Sequence, residues 1–147
     1  MMKNKVLWIC ALLMIIGISS CSNDDGVVSS DNDGKNIIGT WLLVSSSGGW
    51  APEVEYEPGE ITLTFTGDGK VKVDNRREGY YPFTPGIYNY SFEQIERSIF
   101  SGEPETVLLI EGSSSLSNYY SLTYEKDLLH LSEQAYDGMC YTLKKIG

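Results

Sequence analysis

Ile61-Thr62-Leu63-Thr64-Phe65-Thr66-Gly67-Asp68-Gly69-Lys70-Val71-Lys72-Val73-Asp74 decides the fold class of this chain. Apolar and polar side chains alternate through Ile61, Leu63 and Phe65, and again through Val71 and Val73. Successive side chains on a strand point to opposite faces, so a period of two sets one apolar face against a core and one polar face toward water. Gly67-Asp68-Gly69 between the two runs has the turn chemistry of a hairpin.

The same period recurs outward from this hairpin. Tyr88, Tyr90 and Phe92 alternate with Asn89 and Ser91, Val107 to Ile110 is a short apolar run, and Tyr120, Leu122 and Tyr124 alternate with Ser121 and Thr123. Glu125-Lys126-Asp127 supplies a tight turn into Leu128 to Leu131, and Tyr136-Asp137-Gly138 another before Met139 to Ile146. These segments predict an all-β fold of eight strands, over 37–46, 60–66, 70–76, 86–94, 105–111, 118–124, 128–133 and 138–146. The spacing of Phe92, Ile95, Ile99 and Phe100 also suits one face of a short helix. Short strands joined by turns, without a long helical period, imply an antiparallel meander. An open meander would leave two edges with unpaired backbone groups, which favours closure into a barrel, the last strand returning to the first. A two-sheet sandwich is the alternative.

Ahead of the strands, residues 22–36 are mostly Ser, Asn, Asp and Gly, with Val27-Val28 as their apolar pair, a composition that reads as a flexible tether. Earlier still, Lys3 and Lys5 precede an apolar stretch from Val6 to Ile18 that ends in Ser19-Ser20-Cys21. Spanning hydrocarbon takes roughly 20 residues, more than this stretch provides, and the order of charge, apolar run and small residues is that of a secretory signal. Ile18-Ser19-Ser20-Cys21 resembles the lipobox of bacterial lipoproteins, which implies that the Cys21 thiol takes a diacylglycerol and that cleavage leaves it as the first residue. The chain then divides into a signal peptide over 1–20, an acylated N-terminus and tether over 21–36, and a barrel domain over 37–147. Each acyl CH₂ buried in lipid contributes about 0.8 kcal/mol, so two or three chains make the bilayer the protein's lasting partner. Ser22-Asn23-Asp24-Asp25 is similar to the serine-plus-acidic tag that exports lipoproteins of some Gram-negative bacteria, implying an outer-membrane lipoprotein exposed at the cell surface.

The 147 residues carry 20 acidic and 11 basic side chains, a formal net charge of −9. Removing residues 1–20 takes Lys3 and Lys5 and no acid, so the mature chain is more acidic still. Nucleic acid is a poor partner for such a surface, because phosphate backbones need a basic stripe. The one adjacent pair of arginines, Arg76-Arg77, reads as a solvated loop edge. Of the three cysteines, Cys10 leaves with the signal, Cys21 is acylated, and Cys140, within the apolar run Met139 to Leu143, reads as a small buried hydrophobe. Ser29-x-Asp31-x-Asp33-Gly34 has the look of a calcium loop, but Thr40 stands where a bidentate Glu belongs, so neither a metal nor another cofactor is expected.

The first strand contains Ile38-Gly39-Thr40-Trp41, and this Gly-x-Trp opening an eight-strand meander resembles the lipocalin family. The resemblance implies a lipocalin-like barrel in which Gly39 bends the chain into the floor and Trp41 plugs it. Ser117-Asn118-Tyr119 is similar to a Thr-Asp-Tyr turn later in that family. Lipocalins also set an arginine over the tryptophan and follow with a packed helix, whereas this chain offers Lys144 and Lys145 and stops at Gly147. The pattern resembles more the shorter lipocalin-like domains of bacterial surface lipoproteins.

A barrel of eight strands encloses room for one small ligand, so the first functional expectation is a binding module for a small apolar or aromatic molecule. Its candidate lining is Trp41, Phe65, Tyr88, Tyr90, Leu109, Tyr120 and Leu122, bulky side chains whose alternative role is to fill the interior outright. The second expectation is a scaffold that docks on envelope proteins or glycans through Tyr80, Tyr81 and Phe83, a loop that could instead be a flap over one barrel end. No catalytic residue is assigned. His130 is the only histidine and shares its strand with Leu129 and Leu131, so its side chain is expected to face solvent. The many carboxylates, Glu53, Glu55 and Glu57 among them, read as solvated charge.

Overall fold

The computed structural model describes residues 37–78, 83–112 and 118–147; the signal segment, Cys21, the tether, Tyr80, Tyr81 and Ser117 lie outside them. The described residues form nine strands: β1 (Gly39–Gly48), β2 (Ala51–Glu55), β3 (Ile61–Thr66), β4 (Lys70–Asn75), β5 (Gly86–Ile95), β6 (Glu105–Ile110), β7 (Tyr119–Glu125), β8 (Leu128–Glu133) and β9 (Met139–Lys145). Each pairs antiparallel with its neighbours, and β9 returns to β1 over Trp41↔Lys145 to Gly48↔Met139. The sheet is therefore a closed barrel and not a sandwich.

Eight of the nine strands are those expected from the sequence pattern. The ninth, β2, has no such pattern: Ala51, Pro52, Glu53 and Glu55 are exposed, and Val54 alone is half-buried. It exists because β1 is long. One flank of β1 is taken along its length by β9, so the other is shared, β3 pairing with Gly39 to Leu42 and β2 with Ser45 to Gly48. Tyr56 N–H continues the ladder onto the Val44 carbonyl at 3.0 Å before the chain loops out through Glu57 and re-enters at Ile61. β2 is thus the upper continuation of β3, and the barrel wall keeps eight positions.

Registers fix what faces inward. Trp41 lies opposite Leu63, Leu63 opposite Val73, and Phe65 opposite Val71; Leu43 lies opposite Leu143, and Leu129 opposite both Leu143 and Tyr124. Most of these side chains are fully buried, together with Leu108, Ile110, Tyr120 and Leu131, each contributing about 1.5–3 kcal/mol by leaving water. In β1 the register slips between Leu43 and Ser45, a β-bulge at Val44 that switches the inward position from odd to even residues. Ser46, not Ser45 or Ser47, is consequently the buried one.

One end of the barrel, the floor, carries the start of β1, the turn at residues 67–69 and the end of β9. Trp41 sits there with its indole N–H donating to the Ile37 carbonyl at 2.7 Å and Lys145 Nζ 5.2 Å from its ring centroid. A lysine so takes the position over the indole. Gly39 adopts φ +128, and a Cβ there would stand 2.1 Å from the Gly147 carbonyl oxygen, which accepts the Thr40 N–H. Only glycine fits that approach.

The stretch that also suits a helix is strand through Ile95, followed by a loop, 96–104, folded back over the outside of β6 and β7. Gln134 pins it: its amide nitrogen lies within hydrogen-bond distance of Ser98 Oγ, Glu105 Oε2 and Ser121 Oγ, and its amide oxygen accepts the Ile99 N–H. Val107, on the outer side of β6, is fully buried.

Candidate binding cleft at the barrel mouth

The lining expected from sequence is for the most part packed into the core. Trp41, Phe65, Tyr120 and Leu122 are inward but packed, forming the core itself, and Tyr88 and Tyr90 pack half-buried against it. Phe65 meets Tyr90 edge-on at 5.2 Å, which leaves no room between them. Leu109 faces the other way: it pairs with Ser91 and Tyr119 on the outer wall, while its neighbours Leu108 and Ile110 point in. An apolar run has no alternation, so the period that placed the other strands could not choose the inward residue in β6.

Phe83 is not an exposed contact. It is 1% exposed, its ring 5.0 Å from that of Tyr141 and 6.5 Å from that of Tyr120, with its carbonyl accepting from Asn75 Nδ2 at 2.8 Å. It closes the interior from above, as a flap does. Tyr80 and Tyr81 lie outside the described residues.

Beside that flap a cleft of about 330 Å³ opens at the mouth, the end opposite Trp41. Tyr141, Met139 and Ser46 form its base; Val54, Tyr56 and Arg77 stand on one wall; Gly49, Trp50 and Asp137 stand on the other. None of the seven residues expected to line a ligand touches it. The volume lies within the range of about 300–1,000 Å³ typical of small-molecule sites, and aromatic and apolar groups dominate the lining.

The local sequence explains the shape. Gly48 adopts φ +117, and a Cβ there would stand 2.6 Å from the Gly138 carbonyl oxygen, so the glycine lets the β1–β2 turn approach the 134–138 loop. The turn places Trp50, 94% exposed, at the rim of the cleft. The base is rigid. Glu133, 1% exposed at the top of β8, accepts from Tyr141 Oη at 3.1 Å and from the Met139 N–H at 3.0 Å, which satisfies a buried carboxylate and orients the phenol above it. Ser46 Oγ and Tyr56 Oη share a hydrogen bond of 2.9 Å.

Arg77 is not a solvated edge residue. Its guanidinium carbon lies 5.0 Å from the Tyr56 ring centroid, and Nη1 is 3.8 Å from Glu60 Oε2. Arg76 beside it is exposed. Sequence reading passed over Trp50 and Tyr56 and took Arg77 for a solvated edge, because none lies in an alternating strand; a tryptophan after a double glycine was the available signal.

A larger depression of about 540 Å³ lies on the outer wall, among Thr40, Thr62, Thr64, Lys72, Asp74 and Arg76. Its walls are hydroxyls and charges, and Lys72 pairs with Asp74 at 2.8 Å. A solvated wall of this kind offers little desolvated surface, so the smaller apolar cleft is the better binding site.

His130 lies on the outer face, its Nδ1 3.1 Å from Thr142 Oγ1. Cys140 also faces outward, half-exposed, accepting from Ser132 Oγ at 3.5 Å, so it is not the buried hydrophobe expected of it. Among the described residues no three His, Cys, Asp or Glu side chains gather as a metal site. No protein-family model, curated protein or solved structure matches the chain.

Proposed function

We propose that this chain is a membrane-anchored, lipocalin-like lipoprotein of the bacterial cell envelope that binds a small apolar or aromatic ligand in the mouth of its barrel, without catalysing a reaction. The cleft under Trp50 carries the binding part of this reading: a shaped, largely apolar recess of about 330 Å³ beside a filled core. A tryptophan held 94% exposed at its rim can bury most of its surface against a ligand. The anchoring part rests on Ile18-Ser19-Ser20-Cys21 and its apolar leader.

Native mass spectrometry of the full-length protein from its membrane fraction tests the binding. A small-molecule adduct that disappears in Trp50→Ala and persists in Trp41→Phe is expected; a clean apo mass, or an adduct indifferent to Trp50, overturns the cleft. Labelling with a fatty-acid probe tests the anchor: wild type takes the label, Cys21→Ala does not, and an unlabelled wild type overturns it.

Tyr136, 99% exposed in the 134–138 loop, favours a second reading, docking on envelope proteins or glycans through Trp50 and Tyr136. In that case Tyr136→Ala weakens pull-down of an envelope partner, while no small-molecule adduct forms.

A further inference from the structure

The polar groups of the cleft are unequally engaged. Tyr56 and Tyr141 spend their hydroxyls on Ser46 and Glu133. Arg77 is different: its backbone N–H goes to Asn75 Oδ1 at 2.9 Å, its guanidinium is steadied over the Tyr56 ring, and its ion pair with Glu60, at 3.8 Å, lies beyond hydrogen-bond reach. Glu60 itself accepts the Glu57 N–H at 3.1 Å. A guanidinium has five N–H donors in a fixed fork that matches a carboxylate, and here it is oriented in advance beside apolar walls. In a chain of net charge −9, a cation held against an aromatic ring inside an apolar recess runs against the prevailing charge.

Given a ligand in the cleft, as proposed above, we infer that it is an aromatic carboxylate, its ring between Trp50 and Tyr56 and its acid group on the Arg77 fork. Charge-assisted pairing of this kind is about twice as strong as a neutral hydrogen bond, and the apolar walls raise its weight over that in water. Asp137, exposed on the opposite rim, opposes a second negative charge and so limits the ligand to a single acid.

The test compares two isosteric probes on the full-length protein, 2-naphthoate and 2-naphthamide, by calorimetry and by the indole N–H resonance of Trp50. Naphthoate is expected to bind about tenfold or more tightly than naphthamide. Arg77→Gln abolishes that preference, Arg77→Lys keeps a reduced one because an ammonium lacks the fork, and Glu60→Gln or Asp137→Asn raises naphthoate affinity. If both probes move the Trp50 resonance with equal affinity, the site stands and the acid preference is overturned. If neither moves it, the cleft as a binding site falls as well. The wild-type comparison needs no variant to fold.

Discussion

Tyr124 points inward beside Trp41, the two rings 6.5 Å apart, and burial pushes its phenol up to about 12. A neutral phenol is what the folded state holds, so the unfolded chain releases its proton first, from the ordinary value of about 10. The contribution is complete below pH 10 and is lost as pH rises toward 12. Denaturant midpoints should fall more steeply between those values in wild type than in Tyr124→Phe; parallel curves would show Tyr124 to be ordinary. Asp68 in the β3–β4 turn shifts the other way: the Thr66 hydroxyl donates to its carboxylate and holds it below the usual range. Its contribution is present above the unfolded carboxylate value and is lost as pH falls through the lowered one. Thr66→Val should raise the Asp68 carboxyl toward the usual range in a carbon-detected titration. Lys126 is the one non-glycine described residue with positive φ, +56, in the two-residue turn between β7 and β8. Left-handed backbone costs an L-residue about 1–2 kcal/mol, and glycine gives back about half of that relief as unfolded-state entropy. Lys126→Gly should raise stability by about 0.5–1 kcal/mol, read as a higher denaturant midpoint at unchanged slope.

Elements that alternate were legible because each has one wet and one dry face. The hairpin of β3 and β4 lies within one residue of its expected span, and β5, β7, β8 and β9 lie within about one residue of theirs at most ends. β2 was not legible for the opposite reason: neither of its faces is buried, and Pro52, Glu53 and Glu55 are the residues that keep a strand edge from pairing further. Its existence depends on β1 outrunning β3, a property of two other elements. With one ladder and little apolar cover, β2 should open locally at low free energy. Amide exchange is expected to be fastest, among the described strands, over Ala51–Glu55 and slowest over β8 and the middle of β9; equal protection would show β2 to be integral to the core. Because Trp50 and Val54 line the cleft, ligand binding should slow that exchange.

Within the barrel, closure of β1 on β9 joins the first and last strands and places Leu131 among Leu122, Tyr141 and the rest of the buried cluster. Leu131→Ala should cost about 2–5 kcal/mol, a large part of the roughly 5–15 kcal/mol typical of a domain, measured by denaturant unfolding. A loss below about 1 kcal/mol would mean that the interior is not packed as described. Alternation sufficed to predict an all-strand antiparallel meander from residues 61–74 outward, since local sterics and the demand for one dry face act between residues two apart, whereas barrel against sandwich was decided by the pairing of β1 with β9. The site obeyed different rules. Trp50, Tyr56, Arg77 and Tyr141 come from a turn, a strand extension, a loop and β9, and no spacing along the chain joins them. Side chains from distant segments became walls of one cleft only when the strands paired, the bulge at Val44 turned Ser46 inward and the flap at Phe83 filled the centre. That is why the strands could be read from local pattern and the location of the cleft could not: a cavity is the volume left over by packing, and packing is settled in three dimensions.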